Sequence, residues 1–306
     1  MSTPAMPAYV LVLVAAPLFR AAFSDRARAI AAAPADVRMG ELRWLAPGEA
    51  CEMAFHGDAD LAKAVQVRVA AALGDAMIDI CVVPAAHRRK KLLIADMDST
   101  IIQQECIDEM ADVLGLKPRI AGITERAMRG ELPFEDALRE RLSLLAGITE
   151  AQLQEVYVQR VKLMPGAKTL VATMTANGAA TALVSGGFTF FTSRVAKSVG
   201  FGADHANTLE VVDGRLTGRV LGPILGREAK LATLQDYARR LGLPPDATLA
   251  VGDGANDLDM IRAAGLGVAY RAKPIVAAQA QATIAHGDLT ALLYLQGYRK
   301  EEFVAS

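Results

Sequence analysis

Cysteine is scarce in this 306-residue chain: Cys51, Cys81 and Cys106 are the whole complement, and no two of them form a C-x-x-C pair. An odd, dispersed set suits neither a disulfide framework nor a thiolate metal cluster, and fits a reducing compartment in which each thiol is a small apolar side chain. Aromatic residues are also few, at 5% with a single Trp. Net charge is nearly absent, because 33 basic residues meet 34 acidic ones, so no basic excess is available for a nucleic acid backbone or an anionic membrane. The apolar stretch at residues 9–16 is too short to span a bilayer, and no basic segment precedes it as in a secretory signal. Residues 20–33 are rich in Ala and Arg, but Asp25 and the strand-like run before them argue against a transit peptide. A cytoplasmic protein is therefore expected. Missing as well are G-x-x-x-x-G-K-[ST], G-x-G-x-x-G, H-E-x-x-H and C-x5-R, which removes the P-loop, dinucleotide, zinc-protease and thiol-phosphatase chemistries.

What is present is ordinary globular composition, 52% hydrophobic and 22% charged, at a length suited to two domains. Residues 8–15 (YVLVLVAA) pattern as a strand and 20–32 as a helix. Short extended runs follow at 42–45 and 51–55 around Pro47 and Gly48, then a helix at 58–72 and a strand at 77–83. The order βαββαβ predicts a ferredoxin-like α+β domain over residues 1–84, with two helices on one face of an antiparallel sheet. Residues 84–91 (PAAHRRKK) read as a basic, solvated connector. Beyond them strands and helices alternate, which predicts an α/β domain with a Rossmann-like parallel sheet. Its strands are expected at 91–96, 180–185, 248–253, 267–270 and 283–285. The insertion at 101–164 is too long and too helical for a simple crossover, and reads as a small helical cap, about 104–164, over a core of 91–103 and 165–306. A hairpin at 209–220 around Asp213 and Gly214 would form a flap.

Three polar clusters end three of these strands, and in open α/β sheets such ends converge on one site. The first, Asp96-Met97-Asp98-Ser99-Thr100, equally describes a helix N-cap when taken alone. The third, Gly252-Asp253-Gly254-Ala255-Asn256-Asp257, adds two carboxylates where the sheet should end; alone it could be a glycine turn. Hard oxygen donors without His or Cys are what Mg²⁺ prefers. The second, Ser185-Gly186-Gly187, would let backbone N–H groups approach an anion, although such turns are common. Lys230, at the head of KLATLQDYARRLG, would by itself be a surface lysine.

Taken in this order at these strand ends, the four pieces resemble the haloacid dehalogenase superfamily, with its D-x-D-x-T, Ser/Thr, Lys and G-D-x-x-x-D motifs. The resemblance covers residue 91 to the end of the chain. It implies Asp96 as a nucleophile forming an aspartyl phosphate and Asp98 as general acid and then base. It implies Mg²⁺ on the Asp96 carboxylate, the Asp98 carbonyl and Asp253, with Asp257 orienting metal-bound water. It further implies that Ser185 and the Gly186 N–H hold phosphoryl oxygens and that Lys230 offsets transition-state charge. The cap segments IIQQECIDEMADVLG and ITERAMRGELPFEDALRERLSLL, with DMDST, resemble the phosphoserine phosphatase branch, whose small-molecule substrate is O-phosphoserine in the last step of serine biosynthesis. That likeness implies Glu105 on the substrate ammonium, Arg141 on the carboxylate, Met128 and Phe134 closing the pocket, and Asn256 as a further substrate contact. The N-terminal unit resembles an ACT-like domain, for which effector binding or homodimer contact is one role. Two other readings remain: the same core acting on another small phosphomonoester or passing phosphate to an acceptor alcohol, and a catalytically silent amino-acid-binding regulator.

Overall fold

The structure is a computed structural model that describes residues 8–31, 37–128 and 131–305. Its first part contains β1 (Ala8–Ala15), α1 (Arg20–Ala31), β2 (Arg43–Ala46), β3 (Ala50–His56), α2 (Ala59–Leu73) and β4 (Ile78–Pro84). The four strands form an antiparallel sheet in the order β2-β3-β1-β4, the ferredoxin-like arrangement that the βαββαβ pattern predicts. Asp58 caps α2 by accepting the Leu61 N–H at 2.8 Å, and Gly74 ends it with a positive φ, as helix-end chemistry requires.

Strand β1 is apolar on both faces, and each face has its own cover. Leu11, Leu13 and Ala15 pack with Phe23 and Ala27 of α1 and Val65 and Val69 of α2. Val10, Val12 and Val14 share a core with Leu292, Tyr294 and Leu295 near the chain's end. Burying both faces explains why β1 is a continuous apolar run rather than an alternating one.

Polar contacts reinforce this junction. Both carboxylate oxygens of the buried Asp79 on β4 accept backbone N–H groups, from Ala285 (2.7 Å), His286 (3.0 Å) and Gly287 (2.7 Å). Buried Glu49 accepts the Tyr294 hydroxyl at 2.9 Å. Residues 84–91 are the solvated connector expected from their charges only in part: Pro84, Ala86, His87, Arg89 and Lys91 are exposed, but Arg88 and Lys90 turn inward. Arg88 pairs with Glu52 at 2.6 Å and donates to the Leu295 carbonyl at 2.9 Å; Lys90 is buried and donates to the Asp246 carbonyl at 2.7 Å. Charge pattern alone cannot see these partners, because the accepting carbonyls of Leu295 and Asp246 lie 207 and 156 residues away along the chain.

The second part holds β5 (Leu92–Ala95), α3 (Cys106–Val113), α4 (Lys117–Met128), α5 (Phe134–Leu144), α6 (Glu150–Arg160), α7 (Ala167–Ala176), β6 (Ala180–Phe188), α8 (Thr189–Val199), β7 (Ala203–Val212) and β8 (Arg215–Leu221). These are followed by α9 (Arg227–Arg240), β9 (Thr248–Gly252), α10 (Leu258–Ala263), β10 (Leu266–Tyr270), α11 (Pro274–Ala277), β11 (Ala282–Ile284) and α12 (Ala291–Leu295). Seven strands make one sheet in the order β11-β10-β9-β5-β6-β7-β8, parallel except for the final β7–β8 hairpin. The expected strands appear at their places. The hairpin differs from the flap reading, because β7 pairs in parallel with β6 and extends the sheet. Its turn residues Asp213 and Gly214 both have positive φ, the geometry that matches strand twist in a two-residue turn.

Helices α3 to α6 form the cap. Its two connections to the sheet run side by side: Ile102 bridges Leu163, Gln103 N–H donates to the Lys162 carbonyl at 2.9 Å, and Met164 N–H donates to the Ile101 carbonyl at 2.8 Å. The cap's far end is tied to the hairpin, where Gly147 and Leu216 make backbone hydrogen bonds.

Candidate active site

The site lies at the carboxyl ends of β5, β6 and β9, the three central strands on which the polar clusters follow. Strand β5 is four buried apolar residues, and Asp96 is the first residue beyond it. Its Oδ1 accepts the Met97 N–H at 2.8 Å and lies 2.7 Å from Lys230 Nζ. Lys230 also donates to Asp257 Oδ1 at 2.6 Å, and Asp257 Oδ2 accepts the Gly254 N–H at 3.0 Å. The sequence suggested a surface lysine opening its helix. In the structure α9 begins three residues earlier, at Arg227, and Lys230 is 1% exposed one turn in.

Electrostatics follow from this packing. Burial, then the Asp257 and Asp253 carboxylates, push the Asp96 carboxyl well above the ordinary aspartate range, and Lys230 opposes them. Burial alone would lower Lys230, but Asp257 and Asp96 outweigh it and hold the ammonium charged. Asp253 is pushed up to about 6, chiefly by burial and secondly by Asp257; its Oδ1 accepts the Thr100 hydroxyl at 2.9 Å. Ligand oxygens of Asp96, Asp253 and Asp257 lie within 4.8 Å of one another. Clustered carboxylates whose charges are incompletely balanced by protein cations, with only oxygen donors, fit a hard divalent cation.

Asp98 stands beside this group. Its Oδ1 accepts the Cys106 N–H at 3.0 Å and its Oδ2 the Ser185 hydroxyl at 3.3 Å, while Ser185 Oγ accepts the Gly187 N–H at 2.8 Å. Burial raises the Asp98 carboxyl despite these donors. A side chain at Gly187 would start 3.0 Å from both Asp98 Oδ2 and Ser185 Oγ, so glycine is what allows this approach. At Ser99 the backbone is left-handed (φ 55°), a conformation that costs energy for a non-glycine residue and turns the chain toward the cap.

A cavity of about 400 Å³ opens over these residues. Of the residues that sequence reasoning named, Asp96, Asp98, Glu105, Phe134, Arg141, Ser185, Gly186, Asp253 and Asn256 line it; Lys230 and Asp257 are buried behind Asp96. Met128 ends α4, and its side chain lies outside the described residues. Glu105 precedes α3 and accepts the Ser99 hydroxyl at 2.6 Å; desolvation and the nearby Asp98 push it up to about 7. Arg141 on α5 donates to the Ala137 carbonyl at 3.2 Å and to Thr124 Oγ1 at 3.4 Å. The Phe134 ring lies 3.5 Å from where a side chain on Gly186 would begin.

The lining also contains Ser99, Asp108, Thr124 and Lys273, which sequence reasoning missed. Lys273 follows β10 by three residues, so extending the strand-end rule to a fourth strand would have found it. Asn207, 2% exposed, was missed too: its side chain donates to the Gly186 carbonyl at 2.9 Å and accepts the Leu225 N–H at 2.7 Å. No local motif signals that role.

Comparison with known proteins agrees with the geometry. The haloacid dehalogenase-like hydrolase family model matches residues 93–262. A phosphoserine phosphatase of Streptomyces coelicolor is 46% identical over 239 residues, covering 78% of this chain and 57% of that protein. Phosphoserine phosphatase SerB2 of Mycobacterium tuberculosis is 36% identical over 302 residues, covering 97% of this chain and 73% of its own length. The crystal structure of a probable phosphoserine phosphatase from Vibrio cholerae superposes with a TM-score of 0.76 at 32% identity, over 96% of this chain and 88% of that one.

Proposed function

The chain belongs to the haloacid dehalogenase-like hydrolases, and from that premise we propose that it is a phosphoserine phosphatase. It would release L-serine and phosphate from O-phospho-L-serine in the cytoplasm. The observation that carries the reading is the joining, in one cavity, of a paired-aspartate strand end with a cap wall holding one carboxylate and one guanidinium at separate positions, Glu105 and Arg141. Phosphoserine presents the three complementary groups: a phosphoryl dianion, an ammonium and a carboxylate. The shared identity with phosphoserine phosphatases supports the same choice.

Asp96 is the nucleophile. Both of its protein bonds fall on Oδ1, so Oδ2 attacks phosphorus and the ester P–O bond breaks. Asp98, whose carboxyl is raised by burial, donates a proton to the departing serine alkoxide. As a carboxylate it then takes a proton from the water that attacks the aspartyl phosphate, which frees Asp96 and inorganic phosphate. Ser185 and the Gly186 N–H hold phosphoryl oxygens, Lys230 offsets charge beside Asp96, and Asn256 contacts substrate. Asp96, the Asp98 carbonyl and Asp253 would hold Mg²⁺, which supplies the countercharge that lets a carboxylate approach a phosphoryl dianion. Asp257 has both oxygens engaged, by Lys230 and Gly254, and would support that site from behind Asp96. Glu105 takes the ammonium, Arg141 the carboxylate in a charge-assisted pair, and Phe134 closes over them.

Residues 1–84 form the ACT-like domain in this reading, and residues 85–306 the phosphatase. A panel of phosphomonoesters with and without acceptor alcohols tests it: phosphoserine should have the highest kcat/KM, with phosphate release matching serine release. A strong preference for a substrate lacking the ammonium or the carboxylate would contradict it.

A further inference from the structure

The cavity wall is unbalanced in charge. Asp96, Asp98, Glu105, Asp108 and Asp253 contribute carboxylates, while among the described residues lining it the cations are Arg141 and Lys273. Lys230 is sealed behind Asp96, with Asp96 and Asp257 both in contact. Arg141 stands on the cap, held by Thr124 and Ala137. Lys273 is therefore the cavity's cation on the core side.

Its backbone is fixed at that position. The Lys273 N–H donates to the Asp253 carbonyl at 3.2 Å, and its own carbonyl accepts the Val276 N–H at 2.9 Å and the Ala277 N–H at 3.1 Å. Pro274 follows it at the first turn of α11, where its fixed φ stiffens the turn. Lys273 is exposed and lines the cavity, as does Glu105, whose carboxyl its charge slightly lowers. A cation whose backbone is tied to Asp253, in a cavity whose core side also carries the carboxylates of Asp96, Asp98 and Asp253, is placed to attract a phosphoryl dianion.

We propose that Lys273 is a further substrate-binding residue, an entrance cation that recognises the dianionic phosphoryl group of any phosphomonoester and draws it past the carboxylates toward Asp96. The inference rests on the phosphomonoesterase reading of the cavity but not on the identity of the alcohol. An entrance charge acts on encounter and on salt dependence rather than on the chemical step.

The test uses the full chain with Mg²⁺ and compares wild type, Lys273→Met and Lys273→Arg on phosphoserine and on para-nitrophenyl phosphate, at low and high salt. Lys273→Met should raise KM about fivefold on both substrates, as expected for loss of one exposed ion pair to a charged ligand, with kcat within twofold. It should raise the inhibition constant of inorganic phosphate by a similar factor. The difference from wild type should shrink at high salt, and Lys273→Arg should retain wild-type KM. Unchanged KM and phosphate inhibition in Lys273→Met would overturn the proposal. So would a fall in kcat accompanied by a lower melting temperature, which would make Lys273 only a support for α11, or a loss confined to phosphoserine. If wild type hydrolyses para-nitrophenyl phosphate but not phosphoserine, the substrate reading fails while the Lys273 comparison still stands.

Discussion

The floor of the cavity and its cap wall hold their charges in different ways. On the floor, Lys230 of α9 contacts Asp96 at 2.7 Å and Asp257 at 2.6 Å, all three almost fully buried, with Asp96 and Asp257 beyond the ends of central strands. On the wall, Arg141 is half-buried, with bonds of 3.2 Å to a carbonyl within its own helix and 3.4 Å to Thr124. The floor is organised before any substrate arrives, which is what charge stabilisation in a transition state needs. The wall keeps its guanidinium only loosely engaged, so a carboxylate can replace weak bonds with a stronger pair. In the proposed reaction, chemistry thus belongs to the core domain and selection to the inserted helices.

That division can be broken most severely at the floor. Asp96→Asn preserves shape but removes the attacking anion, so kcat should fall by about three or more orders of magnitude on every substrate, measured by steady-state phosphate release. Removing divalent metal with a chelator should take activity to background, and Mg²⁺ should restore it. Full turnover in excess chelator would contradict the countercharge argument.

At the wall the effect should be smaller and selective. Arg141→Ala should lower kcat/KM for phosphoserine about ten- to a hundredfold, the worth of a charge-assisted pair, and leave para-nitrophenyl phosphate hydrolysis nearly unchanged. Phosphoethanolamine, which lacks only the carboxylate, should become about as good a substrate for the variant as phosphoserine. Equal losses on all three would place Arg141 in a structural role and dissolve the contrast.

The smallest expected effect is on stability and has an unusual sign. Asp253 sits at about 6 in the folded chain against 3.8 for an unperturbed aspartate. The folded state therefore keeps a proton that the unfolded chain has lost, and this group's contribution to metal-free stability declines as pH rises from about 4 to about 6. Asp253→Asn should raise the melting temperature of the metal-free protein at neutral pH by a few degrees and abolish the further rise caused by Mg²⁺, as scanning calorimetry would show. A lower melting temperature without metal would contradict the repulsion argument.

The floor was far more legible in the sequence than the junction that supports it. Asp96, Ser185 and Asp253 each follow an apolar strand in short polar clusters, so local pattern and the strand-end rule were sufficient. Lys230 could be placed only by its position in the motif order, because its burial depends on Asp257, 27 residues further on. Glu105 and Arg141 sit on cap helices whose charge pattern equally suits a solvated face, and only the extended likeness singled them out. Arg88 and Lys90 misled, since a basic run looks the same whether water or a buried carbonyl satisfies it. Asp79 gave no signal at all: three N–H groups more than 200 residues away define its place.

In the proposed reaction, phosphate passes from phosphoserine to Asp96 before reaching water. Acid quenching of the enzyme during turnover of ³²P-labelled phosphoserine, followed by peptide mapping, measures this directly. A hydroxylamine-labile label on the peptide that carries Asp96, lost in Asp96→Asn, is expected; turnover without labelled protein, or a label on another residue, would rule out the covalent step.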